Sequence, residues 1–86
     1  MQVQTVEIER EIRNFLTTEF LFGNGAGLNE DVPLLGSVID SQGAIELVAF
    51  IQQRFNIQVE DEEVTIDNLA SVRSVVALVE HKLGRP

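Results

Sequence analysis

Among these 86 residues the combination best suited to chemistry is Asp40-Ser41, with Glu46-Leu47 following it. A serine that opens a helix after a long loop is exposed and approachable. A phosphate esterified to its oxygen would face the unpaired N–H groups and the positive end of that helix. Taken alone, Asp-Ser is also an ordinary N-cap pair. The sequence places no candidate base near Ser41, so its hydroxyl is an unactivated nucleophile and a separate enzyme must supply any chemistry on it. His81 is the single histidine, set between Glu80 and Lys82 near the end of the last expected helix, where a surface position is the natural reading. A Ser41–His81 hydrolytic pair has neither an acidic orienter nor an oxyanion motif. The run Glu60 to Glu63 lacks the spaced Asp/Asn ligands and central glycine of a calcium loop, and reads as a solvated acidic bend. No metal site is expected.

The elements that must position these residues follow from periodicity. From Gln4 to about Glu19, Ile8, Ile12, Phe15 and Leu16 recur at three- and four-residue steps against Glu7, Glu9, Arg10, Glu11 and Arg13, which predicts an amphipathic helix. Gly23, Asn24, Gly25 and Gly27 then interrupt regular structure. A long loop runs to Ile39, and its scattered Leu28, Val32, Leu34 and Leu35 predict that it lies across the core. A second helix starts at Asp40 or Ser41, with Ala44, Ile45, Leu47, Val48, Ile51 and Phe55 on its inner face and Asn56 as its stop. Thr65 can cap a short helical turn around Ile66 and Leu69. Ser71 can cap a last helix carrying Val72, Val75, Val76, Val79 and Leu83, ended by Gly84. No alternating strand pattern appears. The expected fold is all-α: an irregular antiparallel four-helix bundle of three longer helices and one short one, with the long loop between the first and second.

The stretch Val38-Ile39-Asp40-Ser41-Gln42-Gly43-Ala44-Ile45-Glu46-Leu47 resembles the acyl and peptidyl carrier proteins, whose signature is an Asp-Ser pair opening the second helix followed by a Glu-Leu pair. The likeness continues through Phe55-Asn56-Ile57, the acidic stretch and the final helix. It implies a 4′-phosphopantetheine arm attached covalently to Ser41, beside Asp40, with acyl or aminoacyl groups held on it as thioesters in fatty acid, polyketide or related biosynthesis. It also implies a docking surface around Gln42 and Glu46 for a phosphopantetheinyl transferase, an acyl or aminoacyl ligase or transferase, and downstream enzymes. The family most often has leucine after the serine, whereas this chain has Gln42. The run Ser37-Val38-Ile39-Asp40-Ser41-Gln42-Gly43 is more similar to free-standing carriers such as the D-alanyl and some peptidyl carriers, loaded by a separate AMP-forming ligase. A non-carrying interaction module of the same fold is the rival reading. Ala44, Val48 and Ile51 with Val72, Val75 and Val76 could shelter an attached chain, although simple core packing accounts for the same residues.

Bulk properties agree with a carrier. The length fits one domain over residues 1–86 with one core, and leaves little room for an enzyme cleft between subdomains. Fourteen acidic against six basic side chains give a formal net charge of −8. That charge disfavours nucleic acid and anionic membranes and favours basic protein surfaces. The absence of cysteine excludes disulfides and a Cys nucleophile, so helical packing alone must hold the fold. No apolar run approaches the roughly 20 residues of a membrane span, and Met1 to Arg10 lacks a signal-like apolar core. A cytoplasmic monomer is expected.

Overall fold

The computed structural model describes residues 4–21, 23 and 28–84. Among them are three α-helices, α1 (Thr5–Phe20), α2 (Ser41–Phe55) and α3 (Val72–Lys82), and a one-turn 3-10 helix at Asp61–Glu63. The all-helical class holds. A single isolated bridge between Leu35 and Ile39 is the nearest approach to β structure among the described residues. No helix among them is long and apolar enough to cross a membrane.

The core is built from the expected apolar stripes. Ile8, Ile12 and Leu16 of α1, Leu47 and Ile51 of α2, and Val72, Val75 and Val79 of α3 are buried together. The principal helix contact is α1 against α3, with a thinner one between α1 and α2. Phe15 and Phe50 stack across the thinner seam with ring centroids 4.3 Å apart, and Arg54 on α2 donates to Glu11 on α1 at 3.1 Å. The loop crosses the core as its composition predicts, burying Leu28, Leu34 and Ile39. Ile45 is a correction. It was expected on the inner face of α2 and is 63% exposed. Position 45 lies between the buried Ala44 and Leu47 in sequence but turns away from the stripe they share with Val48 and Ile51.

The caps fall where the residue types put them. Asn56 adopts a left-handed φ of 55° at the end of α2, and the Ser71 hydroxyl accepts from the Ser74 N–H at the start of α3. Gly23, with φ 83°, lets its N–H reach back to the Thr17 carbonyl at 2.9 Å and so closes α1. The glycines and asparagine at positions 24, 25 and 27 lie outside the described residues.

The segment after α2 differs from expectation in detail. Thr65 does cap, accepting from the Asn68 N–H at 3.1 Å, yet residues 66–69 form a turn and not a helix. Leu69 is buried while Ile66 is 76% exposed, so only one of the two apolar side chains expected to anchor a helix reaches the core. The helical turn lies earlier, in the acidic run itself, which is more than a solvated bend. Glu60 and Glu63 cap each other's backbone reciprocally, and Lys82 at the end of α3 donates to Glu63 at 2.8 Å.

Lys82, and then the Glu60 N–H, hold the Glu63 carboxyl below the ordinary carboxylate range. A carboxylate with a depressed folded-state pKa adds stability above its unfolded value, and that contribution is lost as pH falls through the folded one. Glu63→Gln should therefore lower stability to urea at neutral pH, and the gap from wild type should close on acidification through the carboxylate range. A gap independent of pH would contradict this assignment.

Candidate functional site

The start of α2 is set by a turn that centres on Leu34. Its carbonyl accepts from the N–H groups of Ser37, Val38 and Ile39 at 3.2, 2.8 and 2.9 Å, and its own N–H donates to Ala70 at 2.9 Å. Gly36, with φ 89°, supplies the left-handed residue that the turn requires and donates to the Ile39 carbonyl at 2.8 Å. The chain leaves this turn extended at Asp40, whose carboxylate accepts from the Gly43 N–H at 2.8 Å. Asp40 is thus the N-cap, and Ser41 is the first residue of α2.

Ser41 is exposed, and neither its N–H nor that of Gln42 has a backbone partner among the described residues. These are two of the orphan donors of a helix N-terminus, and they lie beside the Ser41 hydroxyl. An anion held there gains both donors and the helix dipole.

The structure brings three of the four sequence-predicted residues onto one feature. Asp40, Gln42 and Glu46 line an open groove of about 460 Å³, together with Phe20, Gly43 and the turn residues Gly36 to Ile39. Ser41 is not itself a lining residue, but both of its neighbours in the chain are. Gln42 and Glu46 are both exposed, and their four-residue spacing puts them on one face of α2. His81 is exposed in the last turn of α3, as expected from sequence, and no contact joins it to Ser41. No group of three His, Cys, Asp or Glu side chains among the described residues is placed to hold a metal ion.

Ala44, Val48, Ile51, Val72, Val75 and Val76 are all buried in the common core, which favours packing over shelter for that set. Val48 also reaches a second open groove of about 400 Å³, where it is joined by Ile45, Ala49, Gln52, Val59, Asp61 and Val64.

Gly43 is the positioning residue that pattern reading did not single out. A Cβ at this position would lie 2.9 Å from the Ile39 Cβ and 2.9 Å from the Phe20 Cε1. The missing side chain allows the end of α1 and the turn before α2 to close on the helix from two sides. Its signal in the sequence is a glycine in the first turn of a helix, where alanine is intrinsically better by about 1 kcal/mol.

A small helical body that presents an exposed serine at a helix start, with the neighbouring Asp40 carboxylate engaged as the helix cap, has the layout of a carrier: it offers a point of attachment and leaves reaction to others. The comparisons with known proteins agree. The family model described as the phosphopantetheine attachment site matches residues 22–81. A probable acyl carrier protein, PigG of Serratia sp. (strain ATCC 39006), is 32% identical over 80 residues, which cover 92% of each chain. The chain belongs to the phosphopantetheine attachment-site family of carrier proteins; its prosthetic group is 4′-phosphopantetheine, covalently attached, and it is not itself an enzyme.

Replacing Gly43 by alanine forces a methyl group against Ile39 Cβ, an atom held next to the backbone. Overpacking of this kind costs about 1–3 kcal/mol, offset by up to about 1 kcal/mol of helix propensity, so Gly43→Ala should destabilise the fold by about 1–2 kcal/mol. Urea denaturation measures the change directly. An unchanged or raised midpoint would show that the Phe20 and Ile39 contacts yield freely.

Proposed function

We propose that this protein carries acyl or aminoacyl intermediates on a 4′-phosphopantetheine arm joined to Ser41, within fatty acid, polyketide or related biosynthesis in the cytoplasm. The observation that carries the reading is the exposed Ser41 hydroxyl at the first position of α2, next to two N–H groups without backbone partners. In the loading reaction the Ser41 oxygen forms a phosphoester bond with the pantetheine phosphate of coenzyme A. The phosphoanhydride breaks, adenosine 3′,5′-bisphosphate leaves, and a base of the transferase takes the hydroxyl proton. The bound arm supplies a terminal thiol, absent from the cysteine-free chain, on which cargo is held as a thioester.

Within the protein the roles are separate. The Asp40 carboxylate fixes the first turn of α2 through the Gly43 N–H and leaves the Ser41 and Gln42 donors facing the phosphate. A tethered thioester reaches docked enzymes at high effective concentration, which is how a domain without catalytic groups can serve catalysis. Gln42 and Glu46, exposed on the same face, form part of the surface met by the transferase and by the ligase or acyltransferase that loads cargo. The aminoacyl alternative, a free-standing carrier served by an AMP-forming ligase, rests on Gln42-Gly43 after the serine. Residues 1–86 act in this reading as one carrier domain and as a monomer.

Two outcomes test the proposal. Incubation with a phosphopantetheinyl transferase and coenzyme A should raise the intact mass by one phosphopantetheinyl group, and Ser41→Ala should abolish the gain. Addition to the alanine variant would move the attachment site elsewhere. Glu46→Lys should slow loading at low salt with the fold intact, and the difference should shrink as salt rises, because charge complementarity acts chiefly on encounter. Equal loading rates at low salt would remove Glu46 from the docking surface.

A further inference from the structure

Two open grooves flank the first turns of α2, and their chemistry differs. The first includes Asp40 and Gln42, the residues on either side of Ser41, and is walled by Phe20, Val38 and Ile39 with Ser37 and Glu46 interspersed. The second begins at Ile45, a full turn beyond Ser41, and apart from Gln52 and Asp61 is lined by Ile45, Val48, Ala49, Val59 and Val64. Three residues that line the first groove also have backbone acceptors that the fold leaves unused. The carbonyls of Gly36, Ser37 and Val38 accept no hydrogen bond among the described residues, because the turn satisfies its N–H groups on Leu34 and Ile39.

A phosphopantetheine arm is neither wholly apolar nor wholly polar. After the phosphate it carries a pair of geminal methyl groups and a hydroxyl, and then two secondary amides, each with one N–H to donate. We propose that the groove between the Gly36–Ile39 turn and α2 is the resting site of the arm attached to Ser41. This deepens the reading given under Proposed function and rests on it. The methyl groups lie against Phe20 and Val38, and the amide N–H groups donate to the unused turn carbonyls, with the Gln42 amide and Ser37 hydroxyl available to the arm's own oxygens. At about 460 Å³ the groove falls within the range of roughly 300–1,000 Å³ common for small-molecule sites. Its open form permits release when a partner enzyme competes for the thiol. The second groove offers few polar partners for two amides and would leave them poorly satisfied out of water.

The position follows from the fold. Gly43, by carrying no side chain, draws Phe20 and Ile39 onto the start of α2 and so places an aromatic wall beside the attachment residue. The same contact that fixes the helix also shapes the groove.

The experiment compares isotopically labelled protein before and after transfer of the arm from coenzyme A, with intact mass measured on the same sample. Expected are nuclear Overhauser contacts from the arm's geminal methyls to the Phe20 ring and Val38 methyls, and amide shift changes running through residues 36–38. A mass gain on Ser41 accompanied by contacts to Ile45, Val59 or Val64, or by shift changes confined to residues 40–43, would overturn the groove assignment and leave the attachment reading standing. No mass gain with competent transferases would overturn the attachment reading and the groove with it.

Discussion

The presentation of Ser41 depends on the backbone of one buried residue, Leu34. Its N–H is held by the Ala70 carbonyl just ahead of α3, and its carbonyl gathers three successive N–H groups from the turn that leads into α2. The loop is thereby tied to the α3 side of the molecule and folded tightly enough to deliver Asp40 in the extended conformation that a cap requires. Its side chain is completely buried, so the hydrogen bonds form away from competing water, where each is harder to lose. Arg73 reinforces the same attachment, with its N–H on the Glu30 carbonyl and its guanidinium on Asp31 and Glu30. A long loop that wandered would leave the serine at the end of a flexible strap. Residues 28–40 are instead held by these bonds.

Much of this was legible in the sequence because it rests on local rules. The stripe Ile8, Ile12, Leu16, the cap residues Asp40 and Ser71, and the stop at Asn56 are each decided by a few neighbouring side chains, and they stand where their chemistry places them. Asp40-Ser41 was readable for the same reason. What escaped was decided by contacts between distant segments. The exposure of Ile45 depends on which side of α2 the rest of the molecule occupies, and the closeness of Gly43 to Phe20 spans the whole loop. The short element after α2 moved for a similar reason. Thr65 signals a cap, but whether a helix follows depends on how many apolar side chains reach the core, and Ile66 does not. Pairing of Glu63 with Lys82, nineteen residues away, is equally invisible to a local reading and gives the acidic run a structural role.

The distribution of the cations explains how an acidic protein keeps one face available. Arg13, Arg54, Arg73 and Lys82 form ion pairs that join turns of one helix, helix to helix, or loop to helix. None of these residues lies in the first three turns of α2, where Asp40 and Glu46 stand with no basic residue between them in sequence. Since exposed pairs stabilise weakly, their larger effect is on the electrostatic map: positive charge is neutralised around the scaffold, and negative charge persists at the serine end of α2. In the proposed docking role, that charge would steer basic partner surfaces there.

That arrangement sets a constraint on the proposed attachment site. A phosphodiester on Ser41 would add an anion within one residue of the Asp40 carboxylate, and like charges at such separation oppose each other. Two features limit the conflict. Asp40 spends its carboxylate on the Gly43 N–H, while the Ser41 and Gln42 N–H groups have no backbone partner among the described residues, so the two anions would draw on different donors of the same helix end. Both groups also stand in solvent, where water and salt screen their repulsion far more than a buried site would. Burying the serine would strengthen its hydrogen bonds to the arm, and it would strengthen the repulsion as well while closing the hydroxyl to a second enzyme. An exposed helix start is therefore the placement in which Asp40 can cap the helix while the adjacent Ser41 stays open to modification by a partner.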